Sequence, residues 1–295
     1  GRRKWGSVTL TSLMNKDFTH KLQQGKPLSG SFEMSTPANK YSAPALEKGL
    51  DILEFLAQVS QSVSQAKLAS DLGRTPSEIF RMVTILQQRG FIEKSAVDGS
   101  LGLSPRLFEL AHRQPRSREL LAQALPHMHR LANELKHSCH IAVRNAARAL
   151  VLAQVDGPEL IGFVVRVGAR WPLTGCCSGQ ILLAFQEPWL QEEWLRECDV
   201  DPGAPEGKQL HQRLKRIRRE GYGRVSSSSV AGVTDLAAPI SDQMGSAIAS
   251  LTVPYLRPRG GGMPLEEALI LIKNAALDIS ESLGGVEFTL GDSEG

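Results

Sequence analysis

At 295 residues, 41% hydrophobic and 22% charged, the sequence is long enough for two domains with real cores and has the composition of a soluble folded protein. No apolar run approaches the roughly 20 residues of a membrane-spanning helix, and no secretory pattern opens the chain, so the expected location is the cytoplasm and no membrane partner is expected. Four cysteines without a CxxC pair argue against a disulfide framework or a zinc ribbon, and the formal charge of +3 is uneven: residues 1–41 hold seven Lys/Arg against two acids, residues 42–113 eight of each.

In chain order, residues 1–41 have few apolar positions in any period and read as a disordered leader or vector-derived segment, with Met34 as a natural start. Their basic balance also suits an arm that touches DNA. Residues 44–57 form an amphipathic pattern on Ala45, Leu46, Leu50, Ile52, Leu53 and Leu56, a first helix. A second follows behind Ser64 with Ala66, Leu68, Ala69 and Leu72, and Gly73 stops it. Two residues later Thr75 and Glu78, three apart with Pro76 between them, predict a capped helix start. From there Ile79, Val83 and Leu86 make one stripe, with Met82 beside it, while Ser77, Glu78, Phe80, Arg81, Thr84, Gln87 and Gln88 lie off it. After Arg89-Gly90, residues 91–94 and 101–103 read as strands around an Asp98-Gly99 hairpin turn. Helix, turn, helix and hairpin is a winged helix-turn-helix, whose second helix enters the major groove of DNA. The neutral charge of this segment weighs against that reading unless Arg74, Arg81, Arg89, Lys94 and Arg106 share one surface and Glu47, Asp51 and Glu54 another.

Residues 105–113 read as a short linker helix, and residues 116–137 as a longer one interrupted by Pro126. The pattern then turns to strands over 139–144, 150–155 and 160–167, and to helices over 174–185, 189–198 and 209–220. Strands over 224–230, 236–240 and 247–255 and a helix over 264–283 complete an α+β domain on an antiparallel sheet. No catalytic or metal constellation stands out. In Gly175-Cys176-Cys177-Ser178-Gly179 the serine is one place too late for a hydrolase nucleophile turn, and His127 and His129 point to different sides of a helix. Adjacent Cys176 and Cys177 read as buried thiols in preference to a redox or metal pair. No cofactor is expected.

The runs Ala45-Leu46-Glu47-Lys48-Gly49-Leu50-Asp51-Ile52-Leu53 and Ala69-Ser70-Asp71-Leu72-Gly73, then Ser77 with Arg81 and Arg89-Gly90-Phe91-Ile92, resemble the N-terminal domain of the IclR family of bacterial transcriptional regulators. Downstream, Gly168, Pro172-Leu173, Leu182-Leu183-Ala184, Gly221-Tyr222, Gly232 and Ala237-Ala238-Pro239-Ile240 resemble its effector-binding domain. Glu78 and Phe80 depart from the family's usual residues in the turn, and Ser226 to Ser229 replaces an often acidic stretch, so operator and effector are expected to differ from those of the best-known members.

The resemblance implies a leader at 1–41, a DNA-binding domain at 42–104, a linker helix at 105–115 that takes part in dimerisation, an effector-binding domain at 116–284 and a tail at 285–295. It places Arg74, Thr75, Ser77, Glu78, Phe80, Arg81, Thr84 and Lys94 at the DNA, and Cys177, Ser178, Asp235 and Thr252 around the ligand. A helix starting near Gly175 would offer the Cys177 and Ser178 amides to a carboxylate. The implied function is a ligand-responsive regulator that binds a palindromic operator as a dimer or tetramer and senses a small organic acid, aromatic ones included. The alternative is an enzyme or solute sensor acting on a small carboxylate, with the N-terminal domain as a protein-interaction module.

Overall fold

In the computed structural model, which describes residues 42–160, 162–227, 230–256 and 262–286, the chain divides between Ser104 and Pro105 into two units. The leader expected over 1–41 lies outside the described residues, as do Ser228, Ser229 and most of the tail.

The first unit holds α1 (Pro44–Gln58), α2 (Gln65–Asp71) and α3 (Pro76–Gln88), followed by β1 (Ile92–Lys94) and β2 (Leu101–Leu103). Ile52 and Leu56 of α1, Leu68 and Ala69 of α2, and Ile79 and Val83 of α3 bury together with Ile92 and Leu101 of the hairpin. Leu46 and Leu50 do not join them: they stay 63% and 49% exposed, so the apolar pattern of α1 serves two directions and only one faces this core. Val63 exchanges backbone bonds of 3.0 and 2.8 Å with Leu101, which ties the segment before α2 to the wing.

Start signals behave as their chemistry requires. Ser64 Oγ accepts from the Lys67 amide at 3.2 Å, and Thr75 with Glu78 forms a complete capping box. Thr75→Ala removes an acceptor and a donor at once, and is expected to cost about 1 kcal/mol in the unfolding of the first unit, read by thermal melting of the whole chain. The wing differs from the expected two-residue turn. Pairing stops at Lys94–Leu101 and the six residues between them form the loop, because Ser95 N–H bonds Ser100 O at 2.8 Å and the Asp98 carboxylate accepts from the Ser100 amide and hydroxyl at 3.1 and 2.8 Å. Gly99 supplies the positive φ of 71° that the loop needs.

The second unit opens with α4 (Arg106–His112) and α5 (Pro115–Leu135), then β3 (Cys139–Asn145), β4 (Arg148–Val155) and β5 (Arg170–Pro172). A single 3-10 turn (Leu173–Gly175) leads into α6 (Cys177–Ala184), α7 (Pro188–Glu197) and α8 (Pro205–Glu220). The chain then runs through β6 (Gly223–Ser226), β7 (Val233–Ser241), β8 (Ala247–Leu256) and α9 (Leu265–Ser282). One antiparallel six-stranded sheet results, in the order β5-β4-β3-β8-β7-β6. Leu120, Met128 and Leu131 of α5 and Ile272 and Ile279 of α9 bury one face against Ile141, Leu236 and Leu251. On the other face Ile181 and Leu182 of α6, Leu195 of α7 and Leu214 of α8 close over Ala142 and Ala237.

Three expectations change. Of the strand expected over 160–167, the described residues Leu160 and 162–167 form none: Leu160 is fully exposed, Val164 and Val167 are exposed, and the slot beside β4 is filled by β5, with Gly168 N–H on Val151 O at 2.9 Å. Pro126 does not interrupt the helix expected over 116–137: α5 runs unbroken from Pro115 to Leu135, and its buried stripe continues through Met128. The strand expected to reach residue 230 ends at Ser226. Among the described residues no helix is long and apolar enough to cross a membrane.

Candidate functional site

The outer face of α3 is set by its capping box. Glu78 Oε2 accepts from the Thr75 amide at 3.0 Å and the Thr75 hydroxyl at 2.8 Å, and Glu78 Oε1 accepts from Lys48 Nζ at 2.6 Å. The Lys48 bond, then the Thr75 bonds, hold the Glu78 carboxyl at about 2, well below its ordinary range. Thr75 and Glu78 thus shape the start of the helix. Arg74 pairs with Asp51 at 3.4 Å, so the expected segregation of Arg74 from the acids of α1 does not occur. Thr84 is half-buried and its hydroxyl donates to Phe80 O at 2.8 Å. What remains open is Ser77, Phe80 and Arg81 on α3 and Lys94 on the wing, all exposed, with Phe80 at 59%. Among the described residues Arg81 and Lys94 have no ion-pair partner.

The second cluster lies where α6 meets the sheet. Cys176 is the N-cap, its sulfur accepting from the Gly179 amide at 3.3 Å, so α6 begins at Cys177, two residues later than the expected Gly175. The Gln180 amide bonds Cys176 O at 3.0 Å, and the Cys177 and Ser178 amides stand in the first turn, where a helix offers no carbonyl. Ser178 Oγ lies 2.8 Å from Thr252 Oγ1 and 3.5 Å from His140 Nε2, and Thr252 Oγ1 lies 3.2 Å from Ser250 Oγ. All four are buried, with Ser178 at 6% and Thr252 at 1%. Sheet register explains the meeting: His140 on β3 and Ala237 on β7 flank Thr252 on β8, and Asp235, two residues from Ala237, is a diagonal neighbour on the same face.

Burial sets the electrostatics here. It pushes the Asp235 carboxyl up to about 6, the Cys176 thiol up to about 11 and the Cys177 thiol well above its ordinary value, with the Asp235 charge adding to both thiol shifts. His140 is driven down to about 4 by the same cause and is neutral near pH 7. His140 Nδ1 and Gln180 Oε1 are buried without a hydrogen-bond partner among the described residues. Two protonated, buried thiols make poor nucleophiles, and no group of three His, Cys, Asp or Glu among the described residues is arranged to hold a metal ion. What the cluster can do is accept a carboxylate at the head of α6 and donate hydroxyls to it.

Of the four residues expected around a ligand, the structure brings Ser178 and Thr252 into direct contact and sets Cys177 near Asp235. His140, Ser250 and Gln180 were not anticipated. Alternation along β8 is the signal for Ser250, two residues from Thr252 and so on the same face, while His140 is paired directly across from Thr252.

Two family models match the chain. The helix-turn-helix domain of IclR covers residues 45–96, and the C-terminal domain of the bacterial transcriptional regulator IclR covers residues 112–281. Among curated relatives, the HTH-type transcriptional repressor AllR of Salmonella typhi is 27% identical over 84% of this chain and 93% of its own length. AllR of Escherichia coli K12 is 25% identical over the same shares. Among solved structures, an IclR homologue from Microbacterium hydrocarbonoxydans complexed with 4-hydroxybenzoate aligns with a TM-score of 0.68 at 26% identity, over 81% of this chain and 99% of that one. The Thermotoga maritima IclR aligns at 0.63 and 22%, over 81% and 98%, which speaks for the fold alone.

Proposed function

The chain belongs to the IclR family of bacterial transcriptional regulators, and from that premise we propose that it acts in the cytoplasm as a repressor, binding a palindromic operator as a dimer and answering to a small organic acid. It is a DNA-binding regulator and not an enzyme, which sets aside the enzyme and solute-sensor alternative. In this reading Ser77, Phe80 and Arg81 face the major groove and Lys94 reaches phosphate, while Thr75 and Glu78 hold the helix that presents them. Leu46 and Leu50 on α1, and Leu107, Phe108 and Leu110 on α4, are exposed apolar positions that a second copy would cover.

The observation that carries the effector half is the buried Ser178–Thr252 contact of 2.8 Å beneath the first turn of α6. A carboxylate seated on the Cys177 and Ser178 amides would exchange that contact for bonds to both hydroxyls. The neighbour that holds 4-hydroxybenzoate supports an aromatic acid as the first probe. Effector can shift the regulator only by its different affinity for the operator-competent and released arrangements. Purified protein titrated onto operator duplex at several salt concentrations, with and without 4-hydroxybenzoate and related acids, tests the reading. A steep salt dependence with acid-induced release supports it. Specific operator binding that no carboxylic acid alters would remove the effector half.

Asp235 gives this site a pH dependence. Its folded value of about 6 lies above its ordinary 3.8, so between those values the folded chain binds more protons than the unfolded one and stability falls as pH rises. The penalty is absent below the window and complete above it. Asp235→Asn is expected to remove it, stabilising the second unit at pH 7.5 by on the order of 1 kcal/mol, given its partial exposure, and leaving stability unchanged below about pH 4. Affinity for a carboxylate should fall as pH rises through 6 in the parent and stay level in the variant, checked by calorimetric titration.

A further inference from the structure

A cavity of about 570 Å³ opens at the end of β3 away from His140. Pairing between β3 and β8 covers only His140–Thr252, Ile141–Leu251 and Ala142–Ser250. Past Ala142 the two strands part. A register shift lies on each outer side: at Ile141/Ala142 the extra residue is Leu152 of β4, and at Ile240/Ser241 it is Ile248 of β8, and both line the cavity. Such bulges bend and twist a strand and recur next to binding sites. The opening passes through the sheet, for Leu120 and Leu152 line it from one face and Leu182 and Trp194 from the other. Ile248, 39% exposed, stands at its mouth. The volume is that of a small-molecule site.

Its polar content is specific. Arg144 lines the cavity, with its guanidinium 4.3 Å from the Trp194 ring centre and one Nη bonded to the Glu197 carboxylate. Its Nε is buried and has no hydrogen-bond partner among the described residues. A buried N–H left unpaired is costly, and a ligand acceptor would relieve it. Charge decides what kind of acceptor. The lining holds two cations, Arg144 and Arg116, and two carboxylates, Glu119 and Asp242, and the Arg144 charge is already shared with Glu197. The lining thus carries no surplus positive charge to draw in an anion, and an uncharged carbonyl or phenol oxygen is acceptor enough for the Arg144 Nε–H. A cationic guest brings no acceptor for that N–H, and Arg144 already covers the Trp194 ring.

We propose that the cleft where β3 and β8 part is a second small-molecule site, separate from the Ser178–Thr252 cluster. It takes an uncharged flat aromatic molecule with one hydrogen-bond acceptor, held by the Arg144 Nε–H among Val143, Leu152, Leu182 and Ile248. The two sites therefore select by different rules, one for acids and one for an uncharged acceptor. Arg116 to Leu120, the first turn of α5 directly after α4, also borders the cleft, so an occupant touches the segment through which the two units are joined in sequence.

The test uses the full chain with acetophenone as probe and benzoate as its charged counterpart, followed by calorimetry and by saturation-transfer NMR. One molecule of acetophenone per chain is expected to bind, undisturbed by benzoate. Arg144→Met, which keeps the apolar stem, should weaken it about tenfold or more, and Ile248→Trp, at an exposed position, should abolish it by filling the mouth. Thr252→Val, at the other cluster, should leave it intact. Absence of saturable acetophenone binding to the parent chain overturns the proposal. So does binding that survives Ile248→Trp in a chain whose melting is unchanged, or that is lost in Thr252→Val alone, since either places the probe elsewhere.

Discussion

Replacing Gly179 with valine is expected to destabilise the second unit by about 3 kcal/mol or more and to abolish any response to effector. A Cβ at this position would stand 2.2 Å from Leu173 O, 2.5 Å from its Cα and 2.7 Å from its carbonyl carbon. These are backbone atoms of the 3-10 turn, and Leu173 itself is fully buried against the α6 core, so the turn cannot swing aside as the tip of a side chain would. The helix must move instead. That shift would pull Ser178 from Thr252 and turn the first amides of α6 away from the place where a carboxylate would sit. Urea unfolding of the whole chain is the measurement, with Trp171, two residues from Leu173, as a nearby fluorescence reporter. Gly49→Ala on α1 is the contrast, since nothing lies within 4 Å of its added Cβ, and alanine there should be neutral or slightly stabilising. Equal stability of the parent and Gly179→Val chains would mean that the close packing of α6 on the turn is not what holds this site.

Much of the first unit was legible because its signals are local. Thr75, Pro76 and Glu78 announce α3 within four residues, and Gly90, with φ of 77°, ends it where the chain must turn left-handed. The same locality explains why the Lys48–Glu78 pair was not foreseen. Lys48 lies 30 residues before Glu78, on a helix whose placement no local pattern specifies. The wing failed in a related way. Asp98-Gly99 does carry turn chemistry, but the Ser95–Ser100 bond sets a longer loop, and the periodicity of three-residue strands is too short to reveal where pairing stops.

In the second unit, apolar content marked most of β8 and the middle of β7 as near-continuous runs, since both strands bury on both faces along most of their length. It misled at residues 160–167, where an apolar run competes with Arg170–Pro172 for the edge of β4 and loses. An edge strand of three residues, one of them proline, leaves almost no pattern to find. The effector cluster was half visible. Ser178 and Thr252 were reached through the resemblance, but His140 meets Ser178 only because register sets β3 beside β8, and no spacing in the chain announces a strand pairing. Membership in the family makes the chain a regulator; it does not by itself assign each side chain, which is why substitutions at single residues carry the remaining argument.

Arg81→Ala is expected to weaken operator binding by about 1–3 kcal/mol, roughly 5- to 150-fold, if the guanidinium reads a base edge. The case rests on what surrounds Arg81. The capping box and the Lys48–Glu78 pair fix the start of α3, so a side chain on its exposed face is presented by a rigid element. Arg74 is the natural comparison, because its charge is already shared with Asp51 and its loss should cost less. Residues 42–113 carry eight cations against eight acids, so general attraction to phosphate is weak and an unpaired arginine on the reading helix counts for more than it would in a basic domain. Arg81→Lys separates the two ways it can act. A base contact needs the planar fork, and lysine would fail to restore it, whereas a phosphate contact needs only the charge. Fluorescence anisotropy on a duplex selected by the parent protein from a random pool, repeated at several salt concentrations, gives both affinity and salt slope. Loss in Arg81→Ala without rescue by lysine, with relaxed sequence preference, assigns base readout. Loss rescued by lysine, with a slope smaller by about one in the alanine variant, assigns phosphate. Binding unchanged in both variants would take Arg81 out of the interface and leave Ser77 and Phe80 to carry recognition from that face.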